Sequence, residues 1–455
     1  MATTYLSKTL GTPTNTKIWT FSAWCKRSIP DATGTLISSG SSTTDTISMA
    51  SNGKLNYYVA AGNSGQLTTN RLFQDVSAWY HIVVAVDTTQ STASNRIKIY
   101  VNGVQETSFS TETYPSQNFD TKMNSAILHT IGGYSEGSSG EFWNGLMTQV
   151  ILVDGLQLTP STFGSINSTS GIWVGNTSPT VTYGNNGFNL DFANSSDMGN
   201  DVSGNANDFT VIAGTLTQAK DCPDNNFATL SPLIVIANTR YSNGNLTAGR
   251  NSGEPWSNAL STLAMRGSGK FYWENKLDSS TNGSGHNPLQ VGIQSFNDGS
   301  DATFADLQID GGLANSAYGA SNYIWRNQGG TVSKFHNTSS TTWGVAVTPG
   351  NIIMTAFDVA NGKIWWGRNG TWFSSGSYVG NPASGTYEAF SGISTTTDWF
   401  PVSAVEESYT SFNFGNGYFG TTAVASPGTN ASAIGIFEYD VPAGFTALST
   451  KGLNL

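Results

Sequence analysis

The stretch WYHIVVAVDTTQSTASNRIKIYVNGVQE at residues 79–106 decides the fold class. It begins with the apolar and aromatic run WYHIVVAVD, which is too short for a comfortable helix and is typical of a strand buried on both faces. The segment RIKIYV at 96–101 then alternates polar or aromatic residues with Ile and Val, and Asn102 and Gly103 follow it directly. Because both central residues of a type I′ turn need a positive φ, this Asn-Gly pair predicts an antiparallel β-hairpin.

Similar short runs, bounded by Gly, Ser, Thr and Asn, lie on both sides of this hairpin and predict further strands. Those in the first half are 18–25, 126–132, 142–153, 188–192 and 209–212. Those in the second half are 270–277, 289–294, 351–359, 362–373 and 411–415. No stretch shows a convincing amphipathic helical period, and residues 160–166 are expected to add one short helical turn. The pattern therefore predicts an all-β protein.

The length of 455 residues predicts two or three domains, each large enough for a hydrophobic core. A polar, turn-rich segment at 215–233 predicts a connector between them. The predicted fold is therefore two antiparallel β-sandwich domains in series, jelly-roll-like in form, spanning 1–214 and 234–455. The sequence has no internal repeat, heptad or collagen period, so any oligomer is expected to form through globular surfaces.

The charge balance, the N-terminal segment and the length of the apolar runs each argue against one class of function. Lys and Arg total 20 against 30 Asp and Glu, which gives a net charge of −10 and a pI near 4.8. An acidic surface does not track phosphates, so nucleic acid is not an expected partner. The N-terminal segment MATTYLSKTLGTPT lacks the basic and apolar regions of a secretion signal, and no eighteen apolar residues run together, so neither signal-directed export nor membrane insertion is expected.

Enzymatic chemistry has no clear scaffold in this sequence. The four His lack the spacing of a zinc site, and Cys25 and Cys222 belong to no CxxC pattern, which leaves one disulfide or two free thiols open, with free thiols favoured. Glycoside hydrolysis needs a pair of carboxylates. Glu438 and Asp440 in FEYD come closest, at i and i+2 on one strand face, and are expected to be ordinary exposed carboxylates. The chain is therefore predicted not to be an enzyme.

Three segments of the first half look like parts of one known family. They are FSAWCKRS at 21–28, the hairpin at 79–106, and IGGY…FWNGLMTQVILVDGLQLTPSTFG at 131–164. On these segments, most of residues 1–210 resembles the laminin G-like, concanavalin A-like jelly-roll family. The segment DVSGNANDFT at 201–210 departs from the usual order, because it is similar to a segment that such domains carry near their start.

Five segments of the second half are similar to those of a SPRY domain, another β-sandwich family, and occur in the usual order. GKFYWENKL, LQVGIQ, TPGNIIMTAFDVANGKIWWGRNGTWF, WFPVSAV and SFNFG lie between residues 269 and 415. Joined through a DxPxNNFATLxPL-type connector at 221–233, the two halves resemble structural proteins of marine tailed bacteriophages. That resemblance implies a place on the virion surface, with other virion proteins and further copies of this chain as partners.

Four aspartates are candidate calcium ligands, since laminin G-like domains often bind calcium with loop carboxylates. They are Asp191, Asp197, Asp201 and Asp208. Calcium takes six to eight oxygen ligands, which a loop of Asp, Asn and Ser could supply. Asp and Asn also accept hydrogen bonds from nearby backbone in turns, which requires no ion, and this interpretation is favoured. No cofactor is therefore expected.

Four tryptophans are candidate glycan-stacking residues, because indole faces pack on the apolar C–H faces of sugars. They are Trp325, Trp365, Trp366 and Trp372. Trp365 and Trp366 are neighbours in one predicted strand and must point to opposite faces of it, so at least one of them is expected in the core.

The leading hypothesis is a non-enzymatic structural protein of a phage virion surface. It would be a head decoration or fibre protein, or a tail fibre or adhesin, with outer loops that bind host glycans weakly. The alternatives are a secreted lectin-like module, an adaptor that grips a peptide with SPRY-like loops, and a depolymerising glycosidase, which lacks the carboxylate pair that it would need. A shared fold does not by itself fix the function.

Overall fold

The chain divides into two units, Met1–Gln218 and Ala219–Leu455. A computed structural model describes residues 3–41, 44–134, 141–233, 239–251, 256–280, 287–295, 313, 322–375 and 377–455. Residues 234–238, where the second predicted domain begins, lie outside the described residues. Within the described ranges, helix is limited to single 3₁₀ turns at Ala93–Asn95, Pro160–Thr162 and Gly452–Asn454. The all-β fold class is confirmed.

Unit 1 contains sixteen strands among its described residues, β1 to β16 in chain order. They are Tyr5–Thr9, Ile18–Arg27, Gly34–Ser39, Asp45–Met49, Lys54–Val59, Gly65–Leu72, Tyr80–Asp87, Ile97–Val101, Val104–Gln105, Phe109–Thr113, Leu128–Ile131, Gly145–Asp154, Gly164–Ile166, Trp173–Gly175, Phe188–Leu190 and Thr210–Ile212. Eight of them form one antiparallel sheet in the order β10-β6-β5-β4-β3-β11-β1-β16, and six form a second in the order β15-β12-β2-β7-β8-β9. Strands β13 and β14 form a separate hairpin.

The core of unit 1 contains side chains from both of its large sheets. Trp19 of β2 meets Tyr57 of β5 edge to face, with ring centroids 5.8 Å apart, and both are fully buried. The predicted hairpin is confirmed: β8 pairs with β7 on one side and with β9 on the other, across a turn at Asn102 and Gly103. These two residues have φ values of 49° and 82°, as a type I′ turn requires.

Four central strands of unit 1, β3 to β6, were not predicted from the sequence. They lie between residues 34 and 72, where Ser, Thr and Asn are interspersed with single apolar residues. The hydroxyl residues resemble those of turns, but they alternate with buried side chains such as Ile47, Leu55 and Leu67. In β4 and β5 the period of two places apolar side chains on the core face and polar side chains on the other, and β4 is buried on both faces.

Unit 2 contains eighteen strands among its described residues, β17 to β34. They are Arg240–Ser242, Thr247–Gly249, Ser257–Leu260, Lys270–Ser280, Leu289–Gln294, Asn322–Gln328, Thr331–His336, Ser339–Thr342, Ile352–Asp358, Lys363–Arg368, Thr371–Trp372, Ser374–Ser375, Tyr378–Val379, Phe400–Val405, Ser408–Asn413, Tyr418–Phe419, Thr422–Ala423 and Thr446–Ala447. One sheet has the order β17-β18-β31-β20-β25-β26-β27, with β34 parallel to β20, and the other has the order β19-β30-β21-β22-β23-β24.

The core of unit 2 is again built from both large sheets, with Trp273 and Trp366 from the first and Trp325 from the second. The beginning and the end of the unit are paired with each other. Phe227 forms an antiparallel bridge with Ser449, and residues 226 and 450 exchange hydrogen bonds. Part of the predicted connector, 215–233, is therefore built into the framework of this unit.

Candidate functional site

The outer face of the eight-stranded sheet in unit 1 carries two rows of hydroxyl and amide side chains, which we call the hydroxyl face. The first row crosses all eight strands through Thr210, Ser7, Thr130, Ser38, Thr46, Tyr58, Gln66 and Thr113. The second row crosses β3, β4, β5, β6 and β10 through Thr35, Ser48, Asn56, Thr68 and Thr111. Every one of these side chains can form hydrogen bonds.

Alternation along the strands produces this face, with one irregularity in β3, where the adjacent Leu36 and Ile37 both lie in the core. In β4, Thr46 and Ser48 point outward while Ile47 between them lies in the core, and β5 repeats the pattern with Asn56 and Tyr58. Because successive side chains of a strand point to opposite faces, the same residues that fill the core fix the outward positions. The register between neighbouring strands then places the hydroxyl and amide groups side by side.

The middle of the hydroxyl face is a floor of small side chains that hydrogen-bond to one another. Ser38 Oγ lies 3.2 Å from Thr46 Oγ1, which in turn donates to Thr44 Oγ1 over 3.3 Å. Thr44 Oγ1 lies 2.7 Å from the hydroxyl of Tyr134. Asn56 Oδ1 is buried and has no hydrogen-bond partner among the described residues. A buried acceptor left unpaired costs about 1–3 kcal/mol, so this oxygen favours a donor from water or from a ligand.

Larger, half-buried side chains stand around this floor. Tyr58 and Gln66 rise from the sheet itself, and Tyr134 and Glu141 come from the segments on either side of residues 135–140, which lie outside the described residues. Burial raises the pKa of the Glu141 carboxyl. Burial, and secondarily the charge of Glu141, raise the pKa of the Tyr58 phenol, so Tyr58 is a hydrogen-bond donor at neutral pH.

A buried Ser-His pair lies on the other large sheet of unit 1. Its imidazole proton lies on the ring nitrogen that faces the serine, which rules out nucleophilic catalysis by this pair. His81 Nε2 lies 2.8 Å from Ser22 Oγ, and Trp173 Nε1 donates to His81 Nδ1 over 3.0 Å. Because an indole nitrogen can only donate, Nδ1 is the acceptor and the imidazole proton sits on Nε2, from which it is donated to Ser22. Burial lowers the pKa of His81 to about 3. The imidazole cannot accept the serine proton and acts as a structural group.

A cavity of about 200 Å³ opens at the edge of unit 1, beside β8, β9 and β10, and two glutamates line it. Both carboxylates already have partners. Glu106 pairs with Arg71 Nε over 2.8 Å, and Glu112 accepts a hydrogen bond from the hydroxyl of Tyr114 over 2.9 Å. These bonds are typical of carboxylates that stabilise the sheet edge.

The corresponding outer face in unit 2 is covered by the chain's own residues 434–447, which we call the C-terminal cover. Phe437, Val441 and Phe445 of this segment form a buried cluster with Tyr272 and Trp365 of the sheet. The rings of Tyr272 and Phe437 meet edge to face at 4.9 Å. This face therefore serves the stability of the unit.

Glu274 of β20 fastens the C-terminal cover to the sheet. It is fully buried and accepts hydrogen bonds from the backbone N–H groups of Glu438 and Tyr439, at 3.0 and 2.9 Å. The hydroxyl of Tyr272 and the amide of Asn413 donate to the same carboxyl group. Burial outweighs these hydrogen bonds and raises the pKa of Glu274 to about 7. Sequence reasoning missed this residue because nothing in KFYWENKL distinguishes it from a surface glutamate.

Three of the four predicted stacking tryptophans are buried, so the prediction that sugars stack on them is wrong. Trp325, Trp365 and Trp366 expose 1% of their surface or less. Trp365 and Trp366 do point to opposite faces, as expected, but Trp366 lies in the core and Trp365 lies under the C-terminal cover. Trp372 is half-buried, 6.3 Å from the ring of Tyr272, and its role in stacking stays a prediction.

The four candidate calcium ligands are not brought together as a ligand set. Among the described residues, no three His, Cys, Asp or Glu side chains form a group that could hold a metal ion. Asp201 accepts hydrogen bonds from the backbone of Asn189 and Asn207, and Asp208 accepts one from the backbone of Asp201. Asp191 likewise accepts from the backbone of Ala193, and Asp197 is exposed. Asp191 and Asp208 each use one carboxylate oxygen in these turn hydrogen bonds, and Asp201 uses both.

The remaining candidates from the sequence also have structural roles. Asp440 accepts hydrogen bonds from the backbone and hydroxyl of Thr429, and Glu438 accepts one from the backbone of residue 425. Cys25 and Cys222 are both free thiols, and burial raises the pKa of each. No helix in the described parts of the chain is long and apolar enough to cross a membrane.

Comparison with known families agrees with the fold of unit 1. Residues 2–161 match the Laminin_G_3 family, described as the concanavalin A-like lectin/glucanases superfamily. The match covers 160 of the 455 residues and includes most strands of the hydroxyl face. No curated protein matches the chain.

Several solved β-sandwich structures are similar to parts of the chain. The PSpry domain of TRIM65 is 14% identical, with 41% of this chain and 87% of that chain covered and a TM-score of 0.28. The SPRY domain of human HERC1 is 15% identical, with 40% and 96% covered and a TM-score of 0.29. A heptameric SAP-like pentraxin from Limulus polyphemus is 18% identical, with 38% and 85% covered and a TM-score of 0.28. At these values the likenesses carry no information about function. Unit 1 is thus similar, over residues 2–161, to concanavalin A-like lectins and glucanases.

Proposed function

We propose that this chain is a non-enzymatic protein of a virion surface that binds host glycans weakly through the hydroxyl face of unit 1. The observation that carries the proposal is the pair of hydroxyl and amide rows, with the unpaired acceptor Asn56 Oδ1 in their floor. The similarity of residues 2–161 to a superfamily of lectins and glucanases supports the same class of ligand.

The chemistry of the hydroxyl face complements that of a sugar. A hydroxyl group both donates and accepts hydrogen bonds, and so does each Ser, Thr, Tyr and Gln side chain in the two rows. The half-buried ring of Tyr58 adds an apolar surface beside them, on which a C–H face of a sugar can pack. The floor residues Ser48 and Asn56 expose only 3% and 4% of their surfaces, so Tyr58 and Gln66 at the rim supply the groups that a sugar can reach. Few accessible groups give a small net gain, so we expect weak affinity for a single sugar and useful affinity only from repeated contacts.

Binding is favoured over hydrolysis because of the carboxylates. A glycosidase needs two carboxyl groups that flank the bond to be cleaved. No side chain in the two rows is acidic, and Glu141 stands alone at the rim among the described residues of this face. Glu106 and Glu112 belong to the sheet edge and are engaged by Arg71 and Tyr114.

The virion location rests on the resemblance of the whole chain to structural proteins of tailed bacteriophages. A net charge of −10 with abundant Gly is compatible with such a surface protein. A secreted lectin would use the same chemistry at the hydroxyl face, so the two hypotheses differ in location and not in ligand class.

A glycan-binding experiment tests the hydroxyl face. The full chain is applied to an array of immobilised bacterial and algal polysaccharides, together with the variants Asn56→Ala and Tyr58→Ala. Asn63→Ala is the matched control, because this exposed amide lies in the turn between β5 and β6 and outside the two rows. We expect binding to at least one polysaccharide, a loss of tenfold or more in both face variants, and no loss in the control. Equal binding by all four proteins would contradict the proposal.

Immunogold labelling of purified particles tests the location. Label on heads would establish decoration, and label confined to tails would favour host recognition. Protein that stays free in the lysate, with unlabelled particles, would contradict the virion proposal and leave the secreted lectin.

A further inference from the structure

We propose that unit 2 carries a second carbohydrate site, built on two exposed tyrosines that are stacked on each other. Tyr378 and Tyr387, which we call the tyrosine platform, have parallel rings, with centroids 4.8 Å apart and planes 5° apart. They expose 61% and 44% of their surfaces. Neither residue belongs to the hydroxyl face, so the site does not depend on the function proposed for unit 1.

Exposed tyrosines are normally free to rotate, but these two are held in one arrangement. Each ring has one face against the other, which leaves the opposite face of the stack available to a ligand. A flat, fixed aromatic surface matches the flat C–H face of a pyranose ring. Because little side-chain freedom remains to be lost on binding, such a surface is preorganised for a ligand.

The loop that carries Tyr387 is fastened to the sheet below it. Trp365 Nε1 donates to the carbonyl of Thr386 over 2.9 Å, and Lys363 Nζ donates to the carbonyl of Gly385 over 2.8 Å. Asn381 and Thr386 exchange two backbone hydrogen bonds, at 2.9 and 3.1 Å. Trp365 was predicted to stack on a sugar itself, and it instead supports the loop of a neighbouring aromatic surface.

The backbone of Tyr387 is strained, which is unusual for an aromatic residue. Its φ is +56°, in the left-handed region that favours Gly and Asn. A strained backbone conformation persists where many surrounding contacts hold it in place, and such residues are concentrated at ligand sites. Gly or Asn at this position would relieve the backbone strain but would remove one of the two rings. The strained position is therefore the one that supplies a ring to the platform.

Polar groups next to the platform can bind the hydroxyl groups of a sugar. The hydroxyls of Ser384 and Thr386 lie 2.8 Å apart in the same loop. Glu388, the residue after Tyr387, forms a half-buried ion pair with Lys363 at 3.3 Å. An aromatic face beside a few fixed polar groups is the combination that sugar sites require.

The size of the apolar surface favours a sugar over a folded protein partner. The exposed apolar residues here are Tyr378, Val379 and Tyr387. A stable protein interface needs about 800 Å² from each partner, which three side chains do not supply. A proline-rich peptide also docks on aromatic surfaces, and the experiment below separates the two ligands.

The test uses the full chain on the same polysaccharide array and, separately, an immobilised decaproline peptide. The double variant Tyr378→Ser/Tyr387→Asn removes both rings, and Asn tolerates the positive φ at 387. Val345→Ser is the matched control, because Val345 is 46% exposed in the same unit. We expect at least one polysaccharide to bind tenfold or more weakly to the double variant and equally to the control, with no decrease in melting temperature of the double variant.

Comparison with Asn56→Ala separates this site from the hydroxyl face. A polysaccharide lost by the double variant but retained by Asn56→Ala belongs to the tyrosine platform, whatever the outcome for unit 1. If the double variant retains every polysaccharide that the wild type binds, the proposal is overturned. It is also overturned if the platform binds decaproline and no polysaccharide.

Discussion

The outer faces of the two eight-stranded sheets differ in their side chains although the sheets have similar architecture. In unit 1 this face presents hydroxyl and amide groups around the floor residues Ser48 and Asn56. In unit 2 the equivalent face presents Tyr272, Ala356 and Trp365 in one row, and the C-terminal cover buries them. The same scaffold therefore gives a candidate binding surface or a second core, depending on the outward residues of its strands.

The largest expected effect comes from removing the attachment of the C-terminal cover. Glu274→Ala leaves two backbone N–H groups, the hydroxyl of Tyr272 and the amide of Asn413 without their acceptor. We expect unit 2 to lose about 3–5 kcal/mol of unfolding free energy. Urea unfolding measures this loss. Hydrogen exchange of the backbone amides should show the greatest loss of protection in residues 434–447.

Glu438→Ala is the control for this variant, because its carboxylate is half-buried and accepts one loop hydrogen bond. It should cost about 1 kcal/mol or less. If Glu274→Ala were no more destabilising than Glu438→Ala, the C-terminal cover would not depend on Glu274 and the contrast between the two faces would need another cause.

One buried group in each unit should contribute to the pH dependence of stability, and the two contributions have opposite signs. The pKa of Glu274 is raised from 4.5 to about 7, so folded unit 2 holds this proton more tightly than the unfolded chain. Its contribution is complete below pH 4.5 and is lost as the pH rises through 7, with an upper limit of about 3 kcal/mol. The pKa of His81 is lowered from 6.5 to about 3, so its contribution to unit 1 is complete above pH 6.5 and is lost on acidification towards pH 3.

Hydrogen exchange, followed separately in each unit between pH 4.5 and 6.5, measures how the free energy of unfolding of each unit changes with pH. Glu274→Gln should remove the Glu274 component from unit 2, and His81→Asn should remove the His81 component from unit 1. Slopes that remain the same in the variants would show that other groups control the pH dependence.

A hydroxyl group placed under the C-terminal cover should be poorly tolerated. Ala356 is fully buried between Tyr272 and Trp365, so Ala356→Thr adds volume and an unpaired hydroxyl. We expect a loss of about 1–3 kcal/mol from unit 2 in chemical denaturation. Ala356→Ser separates the two causes, since it adds the hydroxyl with less volume. Unchanged stability of both variants would mean that the C-terminal cover does not pack tightly on this face.

The reverse substitution in unit 1 should have the smallest effect on stability. Thr46→Val keeps the shape of the side chain and removes its hydrogen bonds to Ser38 and Thr44. We expect a loss of about 0.5–1.5 kcal/mol, together with weaker polysaccharide binding. Denaturation and array binding on the same preparation measure both quantities. A loss of stability as large as that of Glu274→Ala would show that the hydroxyl face is a structural core.

The elements that the sequence predicted are those in which apolar residues dominate. The predicted segments 18–25 and 289–294 became β2 and β21, and the Asn-Gly pair at 102–103 has the positive φ values of a tight turn. Continuous apolar runs indicate buried strands whatever their neighbours are. Their pairing order was not predicted, because it depends on contacts between distant segments.

The hydroxyl face was missed because its strands are rich in the residues that also form turns. The segment DTISM alternates, whereas GTLISS has two adjacent core residues, Leu36 and Ile37. Ser and Thr in a sequence of this composition also give little contrast with loops. The tyrosine platform was missed for a different reason. Tyr378 and Tyr387 are nine positions apart, and only the folded loop brings their rings together. Conversely, the conspicuous Trp365 and Trp366 are buried, since large aromatic residues contribute most by filling cores.

The pairing of the two ends of unit 2 has a consequence for synthesis on the ribosome. The hydrogen bond between Asn226 and Thr450 joins residues 224 positions apart. Contacts of such long range form late in folding, because the intervening chain must first be ordered or closed as a loop. We therefore expect unit 1 to fold while unit 2 is still being translated, whereas unit 2 stays open, with its apolar sheet face uncovered, until residue 451 has left the exit tunnel. During that interval, nascent unit 2 is the part of the chain most in need of a chaperone.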